Sequence, residues 1–448
     1  KLVVMIALSK RLPNAGVLLL SSKALRPFTE QRSAQSWSRF YSVSAEALHG
    51  KFGPEPDRTK TAVVDIDFYN DFKPRTDTVM TDLLVKLATC TKESISSDVD
   101  IIRIGEGADV GIESLSPSTL YVRQFYPDLL TEIRKRERSA LIGNPGIGKS
   151  FFQFYYLARI MNPSLFGPLP PDCYGSTVAP KVVIRQQGTS SMTVYDVENR
   201  KVDFVPVAPG ALLRSFDPET SLYLMEPGRT VTEPFFEGLN IPTLATVSPM
   251  LARYKEFCKN GGVRLYMPVF TLPELLAIGQ HLTSTGRVPD ELLETYMPAS
   301  IQSRYEAFGG ILRHVLPLSV HSLTRCRVDQ AKALSSCDAH ALLVSGDIED
   351  SDVSHFIMQY KVDIGGLFPF TNTTLDFVSE SVAAQVQDKL NRCSMADRVT
   401  ALIRNDETGS MTAACSKIYE EVIADLLTTG NGVRWKRREV VSSGPAVK

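Results

Sequence analysis

The sequence has no excess of charge of either sign: 49 lysines and arginines stand against 50 aspartates and glutamates over 448 residues. No global field draws such a chain onto nucleic acid or an acidic membrane, so any contact of that kind must be local. It also has no C-x-x-C pair and no paired histidines, its seven cysteines and six histidines being scattered. That spacing excludes a zinc site built from clustered ligands and suits a reducing, intracellular compartment. No apolar run approaches the roughly 20 residues that a bilayer-spanning helix needs; the stretches at 2–8 and 15–20 are far shorter, and no membrane span is predicted. Internal repeats and low-complexity tracts are lacking as well.

What is present is ordinary globular material, 43% hydrophobic and 22% charged, in a chain long enough for two or three domains. Residues 1–50 read as a leader: seven basic residues and a single acid, Glu30, fall within the first 40. That is the composition of a transit peptide, which would give a mitochondrial address, or of an irregular leader with none. Residues 51–118 form an N-terminal region of unassigned chemistry, with a strand-like run at 61–66 and a helix-like run at 81–88. Residues 119–330 read as one α/β domain with a small helical lid, and 331–448 as an additional α+β region.

Within 119–330 helix and strand alternate as a parallel sheet flanked by helices requires. A helix is predicted at 126–135, a short buried strand at 139–142 and an uninterrupted helix from 149 to 161. Further buried strands are expected at 182–185, 222–226, 244–248 and 264–268, with a hairpin insertion at 193–205 and helices at 273–282 and 301–308.

Between the first strand and its helix stands Gly143-Asn144-Pro145-Gly146-Ile147-Gly148-Lys149-Ser150, a G-x-x-x-x-G-K-S octet in the context a P-loop needs. Glycines let the loop turn its backbone N–H groups inward around phosphates, and the following helix aims its positive end at the same anion. Lys149 would reach the β- and γ-phosphates, and Ser150 would give its hydroxyl to Mg²⁺. Chance would place such an octet in about one chain of this length in a hundred. A nucleoside triphosphate, ATP, with Mg²⁺ is the expected ligand.

The partner expected next is an apolar strand ending in a carboxylate, and Leu222-Tyr223-Leu224-Met225-Glu226 supplies it. Glu226 is the candidate for the magnesium-side and catalytic acid; the alternative is a solvated glutamate at a strand end. Ser248, before Pro249, could sense the γ-phosphate or merely terminate its strand. Arg313, after Gly309-Gly310, could reach back from the lid as a second sensor or be a surface arginine.

The octet alone is generic to P-loop proteins, and the segments that carry a closer resemblance lie around it. Leu120-Tyr121-Val122-Arg123-Gln124-Phe125-Tyr126 leads into the first helix; Ser248-Pro249 is followed by Tyr254-Lys255-Glu256-Phe257, then by Tyr266-Met267-Pro268-Val269 and Phe308-Gly309-Gly310. In these segments, across 120–316, the sequence resembles the NTPase module shared by Crinkler effectors of oomycetes and fungi and the retrotransposon hot spot proteins of trypanosomes. The resemblance implies an AAA-like P-loop ATPase acting on nucleic acid or a host protein, in Crinklers often within the nucleus of an invaded cell. It also implies a restriction-endonuclease-like domain downstream. Its first helix and strand would fall at 415–427 and 430–434, with Glu420 as one metal-site acid or a plain surface glutamate. The remaining carboxylates of such a site would lie beyond this chain, so no nuclease activity is expected from it alone.

The basic cluster Arg434-Trp435-Lys436-Arg437-Arg438 reads as a nuclear address, a DNA-backbone contact or a solvated tail. Two departures from the family stand out. The strand-end acid is Glu226 where relatives usually have Asp, and no Crinkler-type header is recognisable in 1–118. Two functions are therefore expected in competition: a magnesium-dependent ATPase module, and an interaction protein in which bound ATP holds a conformation and turnover is negligible.

Overall fold

The computed structural model describes residues 5–7, 75–76, 78–105, 118–188, 191–206, 213, 216–227, 240–338, 354–392, 420, 424 and 434–436. The chain divides into two units, one of residues 65–422 and one of 1–64 together with 423–448. In the second, the short strands Met5–Ala7 and Arg434–Lys436 pair antiparallel, with Ile6 opposite Trp435. The strand expected at 61–66 lies outside the described residues. Of the helix expected at 415–427 only Glu420 and Ala424 are described, both helical and exposed.

The 65–422 unit is organised by an eight-stranded sheet. Five strands are parallel: β1 (Arg138–Ile142), β2 (Val182–Gln187), β3 (Ser221–Glu226), β4 (Thr243–Val247) and β5 (Val263–Tyr266), in the spatial order β5-β1-β4-β3-β2. Beyond β2 the sheet continues antiparallel through the hairpin Ser191–Asp196 and Lys201–Pro206 to Arg75–Thr76. The central strands are buried along nearly their whole length. That is why they read as unbroken apolar runs: a parallel strand is covered on both faces. Of the flanking helices, α1 (Tyr126–Arg134) carries Pro127 in its first turn and α2 (Lys149–Met161) follows β1. Helix α2 buries nine of its 13 residues, as a helix apolar on most sides must.

Residues before α1 join the same core. A helix at Thr78–Ala88 precedes a three-stranded antiparallel sheet of Thr91–Ser94, Val99–Arg103 and Thr119–Arg123. Leu83, Leu84 and Leu87 share one hydrophobic cluster with Phe152, Phe154 and Leu157 of α2. The segment that sequence reasoning took only as the approach to the first helix thus ends a strand.

After β5 come α3 (Leu272–Ser284), α4 (Pro298–Phe308), the one-turn α5 (Leu312–Val315) and α6 (Val320–Ser336). Next follow the hairpin Met358–Val362 and Thr373–Phe377 and the helix Glu380–Asn391. Helix α3 starts with a capping box, Thr271 and Glu274 exchanging side-chain and backbone bonds. Gly310 is where the helices dock: a Cβ there would come within 2.0 Å of the Phe270 carbonyl, and Phe270 N–H donates to the Gly310 carbonyl at 2.9 Å. Any larger residue would push the two segments apart.

A buried ion pair fixes the same junction. Arg123 donates from Nε to Glu274 Oε1 at 2.7 Å and from Nη2 to Oε2 at 2.9 Å. Its remaining donors reach the carbonyls of Pro268 (2.6 Å) and Val269 (2.5 Å). The guanidinium lies between the rings of Phe125 and Phe270, 4.5 and 4.1 Å from their centroids. One arginine therefore ties the strand before α1, the exit of β5 and the start of α3 together, each of its three guanidinium nitrogens bonded inside the protein.

Candidate functional site

The octet occupies the bend between β1 and α2, at the C-terminal edge of the parallel strands, where open α/β sheets bind ligands. Gly148 takes φ +92° at the start of α2 and Gly146 φ +81°. These left-handed values turn the loop back toward the helix and are strained for a residue with a Cβ. Ile147 is fully buried and anchors the loop from below. Half-buried Pro145 follows buried Asn144, whose amide faces outward from the loop. Asn144 Nδ2 donates to the Met358 carbonyl at 3.0 Å, and its Oδ1 accepts from Tyr360 N–H at 3.2 Å. The octet is thereby sewn to the C-terminal hairpin.

Lys149 folds back on its own loop, donating to the carbonyls of Gly143 at 2.7 Å and Asn144 at 2.9 Å. Burial pushes its ammonium down to about 7; the Glu226 carboxylate partly opposes this, while the Arg313 and Arg253 charges push the same way. Next to it, Ser150 Oγ donates to Glu226 Oε1 at 2.8 Å. The strand-end acid and the loop hydroxyl, 76 residues apart in sequence, are thus in contact. Glu226 Oε2 is buried without a hydrogen-bond partner, with Arg185 Nη2 3.8 Å away.

Arg313, on α5, lies directly against the loop: a Cβ built on Gly146 would stand 2.8 Å from Arg313 Cβ and 3.6 Å from its Nε. Ser248, just past β4, accepts from Arg253 Nη1 at 2.6 Å. Because β4 runs between β1 and β3, Ser248 emerges between the strand that carries the loop and the strand that carries Glu226. The structure therefore gathers Lys149, Ser150, Glu226 and Arg313 around one loop, with Ser248 at the neighbouring strand end.

Sequence reasoning missed three residues here. Gln153, buried on α2, donates to Thr246 Oγ1 at 2.9 Å and accepts from Arg185 Nε at 3.0 Å, so one amide joins α2 to β4 and β2. Arg185 stacks on Phe154 and points toward Glu226. The one available signal was a lone arginine after the apolar run Val182-Val183-Ile184. Arg253 carried no signal.

The oxygen set fits magnesium. This ion is usually held by one or two protein oxygens together with substrate phosphates and water. Ser150 and Glu226 would supply that minimal set; among the described residues no group of three His, Cys, Asp or Glu converges. No helix among them is long and apolar enough to cross a membrane.

No family model and no curated protein matches the chain. Among solved structures it is similar to the S. cerevisiae Hsp104–ADP complex at 13% identity, covering 68% of this chain with a TM-score of 0.27. The match spans 39% of that chain, so this protein corresponds to well under two thirds of its length.

Proposed function

We propose that the 65–422 unit is an AAA-like P-loop ATPase that binds Mg-ATP and hydrolyses it. The observation that carries this reading is the 2.8 Å contact between Ser150 Oγ and Glu226 Oε1 at the mouth of a G-x-x-x-x-G-K-S loop. A magnesium-side hydroxyl and a strand-end carboxylate must meet there if the ion is to bridge protein and phosphates. Residues 143–150 would cradle the phosphates through backbone N–H groups, with Lys149 released from its loop carbonyls onto the β- and γ-oxygens. Magnesium, held by Ser150 and Glu226, would offset charge on the triphosphate. Glu226 orients the attacking water, Ser248 and Arg313 face the γ-phosphate, and α3 to α6 form the lid.

The resemblance to Crinkler and retrotransposon hot spot proteins extends the proposal to nucleic acid or a host protein as the target and the nucleus as a place of action. It rests on the sequence segments alone. One feature favours the competing reading, an ATP-bound interaction protein with little turnover: Glu226 is followed by Pro227 and Gly228, so no second carboxylate stands beside it to share the roles of holding metal and polarising water.

The test is titration of a fluorescent ATP analogue with Mg²⁺ against the full chain and Lys149→Ala. Loss of the lysine removes one or two charge-assisted bonds, about 1.5–3 kcal/mol, and should weaken binding roughly 10- to 100-fold. Equal affinities in the two proteins would remove the basis of the proposal.

A further inference from the structure

Arg253 belongs to no recognised pattern, yet the chain places it beside Ser248, at the end of the strand next to the one that carries the octet. After β4 the backbone passes Ser248-Pro249-Met250 and closes a 3-10 turn at Leu251–Arg253. Arg253 N–H donates to the Met250 carbonyl at 3.0 Å and Tyr254 N–H to the Leu251 carbonyl at 3.1 Å. The next residues anchor the turn: Tyr254 is 2% exposed, Phe257 1%. The arginine is thus held at its base and directed back toward the strand end it came from.

Its head is only partly used. Nη1 donates to Ser248 Oγ at 2.6 Å, whereas Nε is buried with no hydrogen-bond partner. This contrasts with Arg123, every donor group of which is engaged. The charge of Arg253 also bears on the Lys149 ammonium, in the same direction as that of Arg313. Lys149 at the start of α2 and Arg313 on α5 stand at the loop itself, and Arg253 stands beside Ser248 at the end of the neighbouring strand β4. The acid at this edge is Glu226, with Ser150 on one oxygen and Arg185 Nη2 3.8 Å from the other. Such positive charge, with Arg253 Nε unbonded, is stabilised by an anion with more than one negative charge.

Resting on the nucleotide-hydrolysis reading above, we infer that Arg253 is a catalytic residue acting within its own chain, its guanidinium bonding the γ-phosphate while Ser248 orients it. In hydrolysis the water oxygen forms a bond to the γ-phosphorus and the bond from that phosphorus to the β,γ-bridging oxygen breaks. The bond pair leaves with ADP, and a water proton passes to Glu226 or a phosphate oxygen. Charge shifts toward the bridging oxygen and spreads over the γ-oxygens as the bond breaks. A guanidinium fixed beside them stabilises that redistribution, which a diphosphate does not offer. Arg253 should therefore matter for ATP and for the transition state but not for ADP.

The experiment compares wild type, Arg253→Ala, Arg253→Lys and Ser248→Ala in the full chain, reading ADP affinity, ATP affinity, binding of ADP with aluminium fluoride, and single-turnover hydrolysis. Arg253→Ala should leave ADP affinity within about twofold, cost roughly tenfold in ATP affinity and lower hydrolysis about 100-fold or more, with capture of the fluoride complex abolished. Millimolar guanidinium should restore part of the rate. Ser248→Ala, which removes the hydroxyl that orients the guanidinium but keeps its charge, should lose less.

Equal losses in Arg253→Ala and Ser248→Ala would make the arginine a support for Ser248 and overturn the inference, as would equal losses for ADP and ATP. Failure of both Arg253 variants to fold would do the same, marking the residue as structural. A wild type that binds no ATP, or binds it no better than Lys149→Ala does, would instead sink the nucleotide reading. A wild type that hydrolyses ATP at the same rate as Arg253→Ala would sink this inference alone.

Discussion

Two clusters of charge within the 65–422 unit, one buried around Arg123 and one only half-buried around Lys149, are built on opposite rules. Around Arg123, one cation meets one carboxylate in a two-point bond, two carbonyls take the remaining donors, and two aromatic rings close off water. At the octet, Lys149, Arg313 and Arg253 bring three positive charges to one edge of the sheet, Nε of Arg253 has no hydrogen-bond partner, Glu226 Oε2 has only Arg185 3.8 Å away, and the lysine donates to its own loop. The first cluster is complete without a ligand and can only hold elements together. The second keeps a desolvated ammonium and an unbonded guanidinium nitrogen, which an anion would stabilise. Buried charge by itself therefore says little about function; whether its bonds close within the chain separates scaffold from site.

The two clusters should differ most in what they contribute to folding. Arg123→Met should leave Glu274 buried without its counter-charge and lower unfolding stability by about 3–5 kcal/mol. Replacing Glu274 by Leu in the same chain should recover part of that loss, the capping bonds to Thr271 being lost with the carboxylate. Lys149→Met should behave in the opposite way, leaving the ligand-free fold as stable as wild type or more so, because it removes a desolvated charge facing two like charges. Urea midpoints of the four proteins measure this. A Lys149→Met protein destabilised as much as Arg123→Met would mean that the two clusters do not differ.

Next in size is the response to magnesium. Glu226→Gln keeps the shape of the strand end and an acceptor for Ser150 Oγ, but a neutral amide is a poor partner for a hydrated dication. The variant should need roughly 10- to 100-fold more Mg²⁺ for half-maximal ATP binding, about the value of one charged contact. A magnesium titration of nucleotide fluorescence gives the number. An unchanged midpoint would place the metal away from Glu226.

How much of this was legible in the sequence follows from how local each feature is. The octet lies within eight consecutive residues and its strand and helix adjoin it, so loop, β1 and α2 could be read directly, as could the apolar cores of β2 to β5. Glu226 and Ser248 were found because each ends such a run. The links between them were not legible. Gln153 and Thr246 are 93 residues apart, Arg123 and Glu274 151, and Asn144 and Tyr360 216. Nothing in the local pattern around any of these marks its partner. The sheet that ends at Thr119–Arg123 was missed for a related reason: its first strand, Thr91–Ser94, is exposed along its length and reads as a polar loop.

The smallest expected effect is on pH, and it probes the second cluster most directly. In the free protein the Lys149 ammonium titrates near 7, chiefly because burial disfavours the charge. Bound phosphates would return a counter-charge and raise that value. Below about pH 7 the lysine is already protonated, so binding is at full strength and takes up no proton. Above it, each binding event must first protonate the amine, so affinity falls as pH rises, by at most about tenfold per unit. The decline ends where the raised value of the complex is reached. Calorimetric titration of Mg-ATP at pH 8 in two buffers of different ionisation enthalpy should show uptake approaching one proton, and Lys149→Ala should abolish it. Arg123→Met, folded at low temperature, should keep the uptake unchanged, since its cluster exchanges nothing with the ligand. Affinity that stays flat from pH 6 to 9 with no proton uptake would show that Lys149 is already charged in the free loop. The cation excess would then be compensated within the fold, and the contrast between the two clusters would be lost.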